Sequence, residues 1–197
     1  MKIIDCKQGT KEWHQARLGI PTSSGFDNIL TTKGERSKQA EKYIYSLAGE
    51  RVACIVEESY QSEAMLRGSL MEDEARQAYE LIAGVDVVQV GFCLAEGYGA
   101  SPDGMIGEDG LLEIKCPNVS NHVMYLLKKE LPSAYFQQVQ GQLLVTGRKW
   151  VDFMSYSPRL PSFIIRVFPN KEFQNALRTE LKKVCKEIEE ITRKIKE

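Results

Sequence analysis

Two charged residues interrupt an otherwise apolar strand pattern near the middle of the chain, in the run Leu-Leu-Glu-Ile-Lys-Cys-Pro at residues 111–117. Because side chains alternate between the two faces of a strand, Glu113 and Lys115 share one face and Ile114 enters the opposite layer. The turn residues Gly-Glu-Asp-Gly at 107–110 predict a hairpin that sets Asp103 across from the neighbourhood of Glu113. Charges on a strand of this buried type need a chemical explanation.

This group of residues suits a hard cation. Carboxylates on facing strands lie only about 5 Å apart and repel each other unless a cation lies between them. Mg²⁺ prefers oxygen ligands and keeps positions open for water and substrate phosphates, so Asp103, Glu113 and the Ile114 main-chain carbonyl are predicted ligands. The Lys115 ammonium would orient the attacking water or the phosphate. The pattern predicts a phosphoryl-transfer site. The alternative interpretation is an exposed hairpin that carries these three residues by chance.

Other metal and nucleophile chemistries have little support. The two histidines, His14 and His122, form no pair at a metal-ligand spacing, which disfavours a zinc centre or a Ser-His-Asp triad. The five cysteines form no Cys-x-x-Cys pair, which favours reduced thiols in a cytoplasm. Residues 61–110 hold ten acids and two bases, whereas residues 111–197 hold nine acids and fifteen bases. The acidic stretch suits a cation site and the basic remainder could face phosphates, or both could be solvated helix faces.

Length and composition predict one domain that spans residues 1–197. The chain is 43% hydrophobic, has no apolar run near the roughly 20 residues of a membrane span, and starts without a signal-peptide pattern. We therefore expect an unexported protein that is not bound to a membrane.

Periodic segments predict helices on both sides of a set of strands. The predicted helices before the strands lie near residues 11–18, through residues 40–48, and along the apolar positions Leu66, Leu70, Ala75, Ala78, Tyr79 and Ile82. Strand patterns at residues 86–95, 100–106 and 111–117 predict an antiparallel meander. The last two of these helices should come before it in the chain. Pro132 should divide a helical region from Ser120 to Gly147.

The last third of the chain predicts two strands and a long helix. The strands are expected at residues 149–156 and 162–168, and Asn170 is the expected N-cap of the helix. Apolar residues recur along this helix at spacings of four and three, which favours a core-facing side over a subunit contact: Phe173, Leu177, Leu181, Val184, Ile188, Ile191 and Ile195.

Several segments match the motifs of one known family in the family's order: EWHQARLGIPTSS, RGSLMEDEAR, SPDG, LEIKCP, AYFQQVQGQLLVTG and VDFMSYSPR. On these segments the chain resembles the phage-type alkaline exonucleases, the lambda exonuclease and YqaJ recombinase group. The resemblance implies an α/β (α+β) fold with the restriction-endonuclease-like PD-(D/E)xK core, a mixed central sheet flanked by helices. It also implies a 5′-to-3′ exonuclease that degrades one strand of linear double-stranded DNA to mononucleotides and leaves a 3′ single-stranded tail.

The resemblance further implies cofactors and partners. These are two Mg²⁺ per active site with Mn²⁺ able to substitute, DNA with a 5′-phosphate, a ring-shaped homotrimer, and a single-strand annealing protein. It implies the cytoplasm of a bacterial host and a phage or prophage origin. The alternatives are a nuclease of the same superfamily with endonuclease or single-strand specificity, and a non-catalytic DNA clamp.

The family's catalytic roles carry over to individual positions. Asp103 and Glu113 match the metal-binding acids, and Lys115 matches the catalytic lysine. Glu72 matches a helix-borne acid that supports the metal site, partly through water. The polar residues that match the lining of the active site are Ser101 and Gln138, with Gln137 and Gln140 as close alternatives.

The motif near the N-terminus implies a pocket for the terminal 5′-phosphate. Arg17 and Ser24 match its positions, and the planar guanidinium of arginine suits bidentate phosphate binding. Ser23 is the alternative to Ser24. Trp13 belongs to the same motif and is expected to pack in the core rather than to stack on a base.

Overall fold

The computed structural model describes the backbone of residues 1–55 and 63–197, and the side chains of residues 1–55 and 70–197. Its helices are α1 (Lys11–Arg17), α2 (Ala40–Ala53), α3 (Glu63–Ala83), α4 (Val119–Lys128), α5 (Phe136–Thr146) and α6 (Lys171–Lys196). Short 3₁₀ helices occupy Ser23–Asn28 and Ser133–Tyr135. The strands are β1 (Lys2–Ile4), β2 (Phe92–Leu94), β3 (Gly99–Ala100), β4 (Gly104–Ile106), β5 (Gly110–Lys115), β6 (Trp150–Ser155) and β7 (Phe163–Val167).

The strands are divided between two sheets, with the orders β1-β2-β3 and β4-β5-β6-β7. The four-stranded sheet is mixed, because β5 and β6 run parallel while the outer pairs are antiparallel. The single meander predicted over residues 86–117 is therefore wrong. The chain leaves one sheet after Ala100 and joins the other at Gly104, and Pro102 between them has no backbone N–H to donate to a ladder.

Two further expectations about the strands are corrected. Of residues 86–95, only Phe92–Leu94 form a strand, and Val88 makes an isolated bridge to Met105. The unpredicted strand β1 pairs with β2, so a strand precedes the helices that were expected to come before the sheet. Strands of two or three residues contain too few alternating positions for their period to be recognised in the sequence.

The hairpin of β4 and β5 confirms the predicted turn and register. Gly104 lies opposite Leu112, and Ile106 lies opposite Gly110. The Arg148 guanidinium donates to the carbonyls of Gly107 and Gly110, at 2.8 Å each. These bonds tie the hairpin turn, and with it the start of β5, to the connection between α5 and β6.

Side chains of β5 alternate between two apolar clusters, as predicted. Leu112 and Ile114 pack with Ala75 and Tyr79 of α3 in one cluster. Leu111 is buried in the other, larger cluster, and alternation directs Glu113 to that same side, which α5 covers. The strand is thus buried on both faces, which explains its nearly continuous apolar sequence.

The connection from β5 to β6 confirms the expected division at Pro132. Helix α4 ends at Lys128, α5 begins at Phe136, and Gly147 ends α5 in a left-handed conformation with φ of 70°. A helical crossover of this kind is what allows β5 and β6 to be parallel neighbours. It also lays α5 beside Glu113.

The outer helices bury most of the positions that the periodicity selected. Asn170 caps α6 by accepting from the Phe173 N–H at 3.0 Å, as predicted. The buried apolar residues of α6 are Phe173, Leu177, Leu181, Val184 and Ile188, whereas Ile195 is exposed. In α3, Ala75 and Tyr79 are buried while Leu70 and Ile82 are exposed, and the side chain of Leu66 lies outside the described residues.

Two other properties bear on the expectations from composition. The five cysteines are free thiols. Within residues 1–55 and 63–197, the helices include none that is both long and apolar enough to cross a membrane.

Candidate active site

Asp103 lies where the chain passes from the three-stranded sheet to the four-stranded sheet. Its backbone N–H donates to the Leu112 carbonyl at 3.1 Å, and its Oδ2 accepts from the Ile114 N–H at 2.5 Å. The carbonyl of the preceding residue, Pro102, accepts from the Gln8 side chain at 2.9 Å. These bonds hold the Asp103 carboxylate against the part of β5 that extends past β4.

Glu113 is almost fully buried, with 1% of its surface exposed, and both of its carboxylate oxygens are bonded. Its Oε1 forms an ion pair with Lys115 Nζ at 2.5 Å and accepts from Gln138 Nε2 at 2.6 Å. Its Oε2 accepts from Gln142 Nε2 at 2.5 Å. Lys115 Nζ also lies 5.4 Å from the centre of the Tyr135 ring. Glu113 and Lys115 thus share one face of β5, as the alternation predicted.

The acids of this site repel one another. Burial and the charge of Glu113 raise the pKa of Asp103 well above its ordinary value, with a further contribution from Glu72 and an opposing one from Lys115. Burial and the charge of Glu113 likewise raise the pKa of Glu72. Burial by itself would lower the pKa of Lys115, but Glu113 and Asp103 raise it overall. The lysine therefore stays an ammonium at neutral pH, and one ammonium faces three carboxyl groups.

The donor atoms around Asp103 fit Mg²⁺. Among the described residues, no three side chains of His, Cys, Asp or Glu are already gathered around a common point. Mg²⁺ needs fewer, because it binds through one or two carboxylates and completes its shell with water and substrate phosphate. The Ile114 N–H faces Asp103, and the carbonyl of the same strand residue points to the same edge. Asp103, Glu113 and the Ile114 carbonyl are therefore the residues that would hold the ion, with Glu72 beside them.

Arg17 lies at the centre of a second group of polar side chains. Its guanidinium donates to the hydroxyls of Ser101 at 3.0 Å, Thr22 at 3.2 Å and Ser24 at 3.3 Å. The same guanidinium carbon lies 3.9 Å from the centre of the Trp13 ring, and Trp13 Nε1 donates to the Ser101 hydroxyl at 2.9 Å. Burial lowers the pKa of Arg17 to about 10, so the side chain remains charged at neutral pH. A cation set among neutral hydroxyls suits an anion with several oxygens.

One cleft of about 950 Å³ is lined by residues from both groups. Its walls include Trp13, Arg17 and Ser24 from one group, and Glu72 and Asp103 from the other. An extended ligand in this cleft can therefore contact the arginine and the acids at the same time.

A family model described as the YqaJ-like viral recombinase domain matches residues 12–149. This match covers more than half of the chain and includes Arg17, Asp103, Glu113 and Lys115. The chain belongs to the YqaJ-like viral recombinase family. The resemblance predicted from the sequence motifs is confirmed.

Solved structures agree with this assignment. An alkaline exonuclease from Laribacter hongkongensis, LHK-Exo, is 33% identical, and its structures, one in complex with dAMP, match with a TM-score of 0.85 over 95% of this chain and 96% of theirs. A phage-related exonuclease from Haemophilus somnus 129PT is 12% identical and matches with a TM-score of 0.70 over 89% of this chain and 96% of its own, which supports the fold alone. The search of curated proteins found no significant match.

The predicted fold class is also confirmed. This YqaJ-like protein has a mixed sheet flanked by helices, and its structural neighbours are exonucleases with a nuclease fold. The homology to an alkaline exonuclease supports a nuclease activity.

The contacts of Arg17 distinguish Ser24 from Ser23, and they correct the expectation for Trp13. Ser24 contacts the Arg17 guanidinium, whereas Ser23 is buried beside Gly141. Trp13 was expected to pack in the core, but in this YqaJ-like domain it is half-buried, lines the cleft and stacks on Arg17. The stacking fits a tryptophan that holds the guanidinium in place.

The register of the glutamines on α5 is also resolved. Gln138 donates to Glu113, while Gln137 donates to the Leu30 carbonyl and Gln140 to the Phe168 carbonyl. The structure therefore brings Gln138 to the acids and directs its two neighbours elsewhere. The roles of these residues in chemistry stay predictions.

Three residues that contact these groups were not selected from the sequence. They are Gln142, which donates to Glu113, Thr22, which accepts from Arg17, and Tyr135, which lies beside Lys115. Gln142 follows Gln138 by four residues, so the two lie on the same face of a helix. That spacing was a signal for Gln142, but no sequence period marks Thr22 or Tyr135.

Proposed function

We propose that this YqaJ-like protein is a Mg²⁺-dependent exonuclease that degrades one strand of linear double-stranded DNA from its 5′ end. The observation that carries the proposal is the single cleft lined by both Arg17 and Asp103. An exonuclease needs a group that recognises the end of the strand and a group that cleaves near it. The arginine among hydroxyls suits the terminal phosphate, and the acids with Lys115 suit the scissile one.

In this proposal the acids and the lysine act on the scissile phosphate. When bound at Asp103 and Glu113, Mg²⁺ supplies positive charge that stabilises the transition state and lowers the pKa of water. The Lys115 ammonium donates a hydrogen bond to the scissile phosphate or to the attacking water. Lys115 Nζ lies beside Glu113 Oε1, so its charge is placed next to the acids that would hold the ion. Gln138 and the Ile114 N–H orient the carboxylates of Glu113 and Asp103.

The end of the strand is held by the Arg17 group. Arg17 offers donors in a planar fork, and the Ser24 hydroxyl adds a donor beside it. Binding the terminal 5′-phosphate there would place the next phosphodiester near Asp103, and positioning of this kind can contribute several kcal/mol to catalysis. Cleavage would release a mononucleotide and leave the opposite strand as a 3′ tail.

The central test compares linear and covalently closed duplex DNA. We expect release of acid-soluble nucleotides from a linear duplex in Mg²⁺, with loss of the label at the 5′ end before the label at the 3′ end. No release is expected in EDTA or from the closed circle. Cleavage of the circle would indicate an endonuclease, and binding without any release would indicate a DNA clamp.

Arg17→Ala should slow digestion of 5′-phosphorylated ends by about tenfold to a hundredfold, because charge-assisted hydrogen bonds to phosphate contribute roughly 1.5–3 kcal/mol. Dephosphorylated ends should be digested slowly by both proteins and at similar rates. The measurement is initial rates on both substrates, which forms a double-mutant cycle between the arginine and the phosphate. Arg17→Lys is the matched variant, since it keeps the charge and loses the fork. If Arg17→Ala slowed digestion of both substrates equally, Arg17 would not be part of a pocket for the terminal phosphate.

The partners follow from the family resemblance. We propose a ring-shaped homotrimer that encircles the duplex and supplies a 3′ tail to a single-strand annealing protein in a bacterial host. Two Mg²⁺ per site, or Mn²⁺ in their place, belong to the same proposal.

A further inference from the structure

Gln142 is a buried residue of α5 whose side chain contacts Glu113 of the candidate active site. It has 0% exposed surface, and its Nε2 donates to Glu113 Oε2 at 2.5 Å. A carboxylate only accepts hydrogen bonds, so the amide nitrogen must be the atom that faces it. Gln138, one helical turn earlier, donates to the other oxygen, Oε1.

The second polar atom of Gln142 shows that the side chain is poorly suited to a purely structural role. Within the part of the chain that the structure describes, Gln142 Oε1 is buried and has no hydrogen-bond partner. An unpaired buried acceptor is unfavourable for folding. Gln140, another buried glutamine of α5, differs, because it accepts from the Asn170 N–H and donates to the Phe168 carbonyl.

The two oxygens of Glu113 have different surroundings. Oε2 meets the neutral amide of Gln142, on the side of the buried helix. Oε1 meets the Lys115 ammonium and the half-buried Gln138. Glu113 is thus held from two sides, by Gln142 through Oε2 and by Lys115 and Gln138 through Oε1. Each carboxylate oxygen can accept more than one bond, so the bond from Gln142 fixes the orientation of the carboxylate while leaving it able to bind a cation.

We propose that Gln142 is a positioning residue that holds Glu113 by Oε2 and so fixes the orientation in which the Glu113 carboxylate binds a divalent cation. This inference rests on the proposed metal-dependent function and deepens it. Residues that orient a metal ligand in this way affect metal affinity by about tenfold to a hundredfold when replaced. Gln142 therefore contributes to the affinity of the site without touching the cation.

Mn²⁺ binding to the DNA-free protein tests the proposal, measured by the electron paramagnetic resonance signal of free Mn²⁺. Gln142→Met removes the amide with little change in volume, and we expect it to weaken Mn²⁺ binding by about tenfold or more. Gln142→Asn keeps an amide but shortens the side chain by one methylene, so it should weaken binding as well. Gln137→Met is the matched control, because it removes a buried amide of the same helix that donates to a backbone carbonyl. Its Mn²⁺ affinity should equal that of the wild type.

The outcomes separate this inference from the proposed function. If Asp103→Asn leaves Mn²⁺ binding unchanged, the proposed metal site itself is wrong. If Asp103→Asn abolishes binding while Gln142→Met binds like the wild type, only the role of Gln142 is overturned. Thermal unfolding identifies any variant that fails to fold, and Gln142→Asn then decides in place of Gln142→Met. In cleavage assays, the Gln142 variants should need a higher Mn²⁺ concentration than the wild type to reach half of their maximal rate.

Discussion

Asp103→Asn is expected to reduce hydrolysis of a linear duplex by about a thousandfold, since it removes a charged metal ligand that supports several kcal/mol of transition-state stabilisation. Asparagine keeps the shape of the side chain and an oxygen that can accept from the Ile114 N–H. The loss should therefore come from charge rather than from misfolding. The measurement is the rate of nucleotide release at saturating Mg²⁺.

Binding and stability measurements separate this result from a damaged protein. DNA affinity in Ca²⁺ should survive in Asp103→Asn, because phosphate contacts elsewhere supply most of the affinity. In metal-free buffer the variant should unfold at or above the wild-type temperature. Burial and the charges of Glu113 and Glu72 raise the pKa of Asp103, so the ionised wild-type carboxylate is destabilising in the folded state at neutral pH.

Asp109→Asn is the matched control for Asp103→Asn. It removes an exposed carboxylate from the turn of the same hairpin, where Asp109 pairs with Lys149. Exposed ion pairs contribute little to stability, so this variant should digest DNA at the wild-type rate. Wild-type activity in Asp103→Asn would show that Asp103 is not a ligand of the catalytic metal.

Lys115→Met should reduce the rate of hydrolysis by about a hundredfold to a thousandfold, the usual effect of removing one donor that stabilises a transition-state charge. The ammonium at this position is held by Glu113 at 2.5 Å and stays protonated. Methionine retains the length of the side chain without charge or donor. The expected signature is lost turnover with DNA binding that still depends on Mg²⁺, measured by single-turnover cleavage and by fluorescence anisotropy.

Lys149→Met provides the comparison for Lys115→Met. Lys149 is an exposed lysine paired with Asp109 at 2.9 Å, and its loss should leave turnover within about twofold of the wild type, as surface pairs contribute little. Lys115→Met should also lower the unfolding temperature in metal-free buffer, because Glu113 stays buried with one cation fewer beside it. A wild-type rate of hydrolysis in Lys115→Met would show that Lys115 has no role in catalysis.

Short-range patterns predicted the parts of this fold that depend on neighbouring residues. Alternation placed Glu113 and Lys115 on one face of β5, and turn residues predicted the hairpin that sets Asp103 across from the neighbourhood of Glu113, in agreement with the observed register. The end of α5 followed from Gly147 and the start of α6 from Asn170. These features could be predicted because strand period, turn chemistry and helix capping act over a few residues.

The break between the two sheets could not be predicted in the same way. The segments around Ala100 and Gly104 both favour strands, and local propensity does not state which partner each strand will have. That β3 pairs with β2 and not with β4 depends on packing against helices that are distant in sequence. The meander was the simplest interpretation of consecutive strands, and tertiary contacts overrode it.

The sequence by itself determined the chemical character of the site: the acid pair, the lysine and the apolar strand that carries two of them. Motif resemblance named some of the residues around them, but only the tertiary structure decided which contacts those residues make. Arg17 meets Ser101 across 84 residues, and Gln142 meets Glu113 across 29. No sequence period spans such distances, because these contacts depend on how α1 and α5 pack onto the sheets rather than on the conformation of the residues between them.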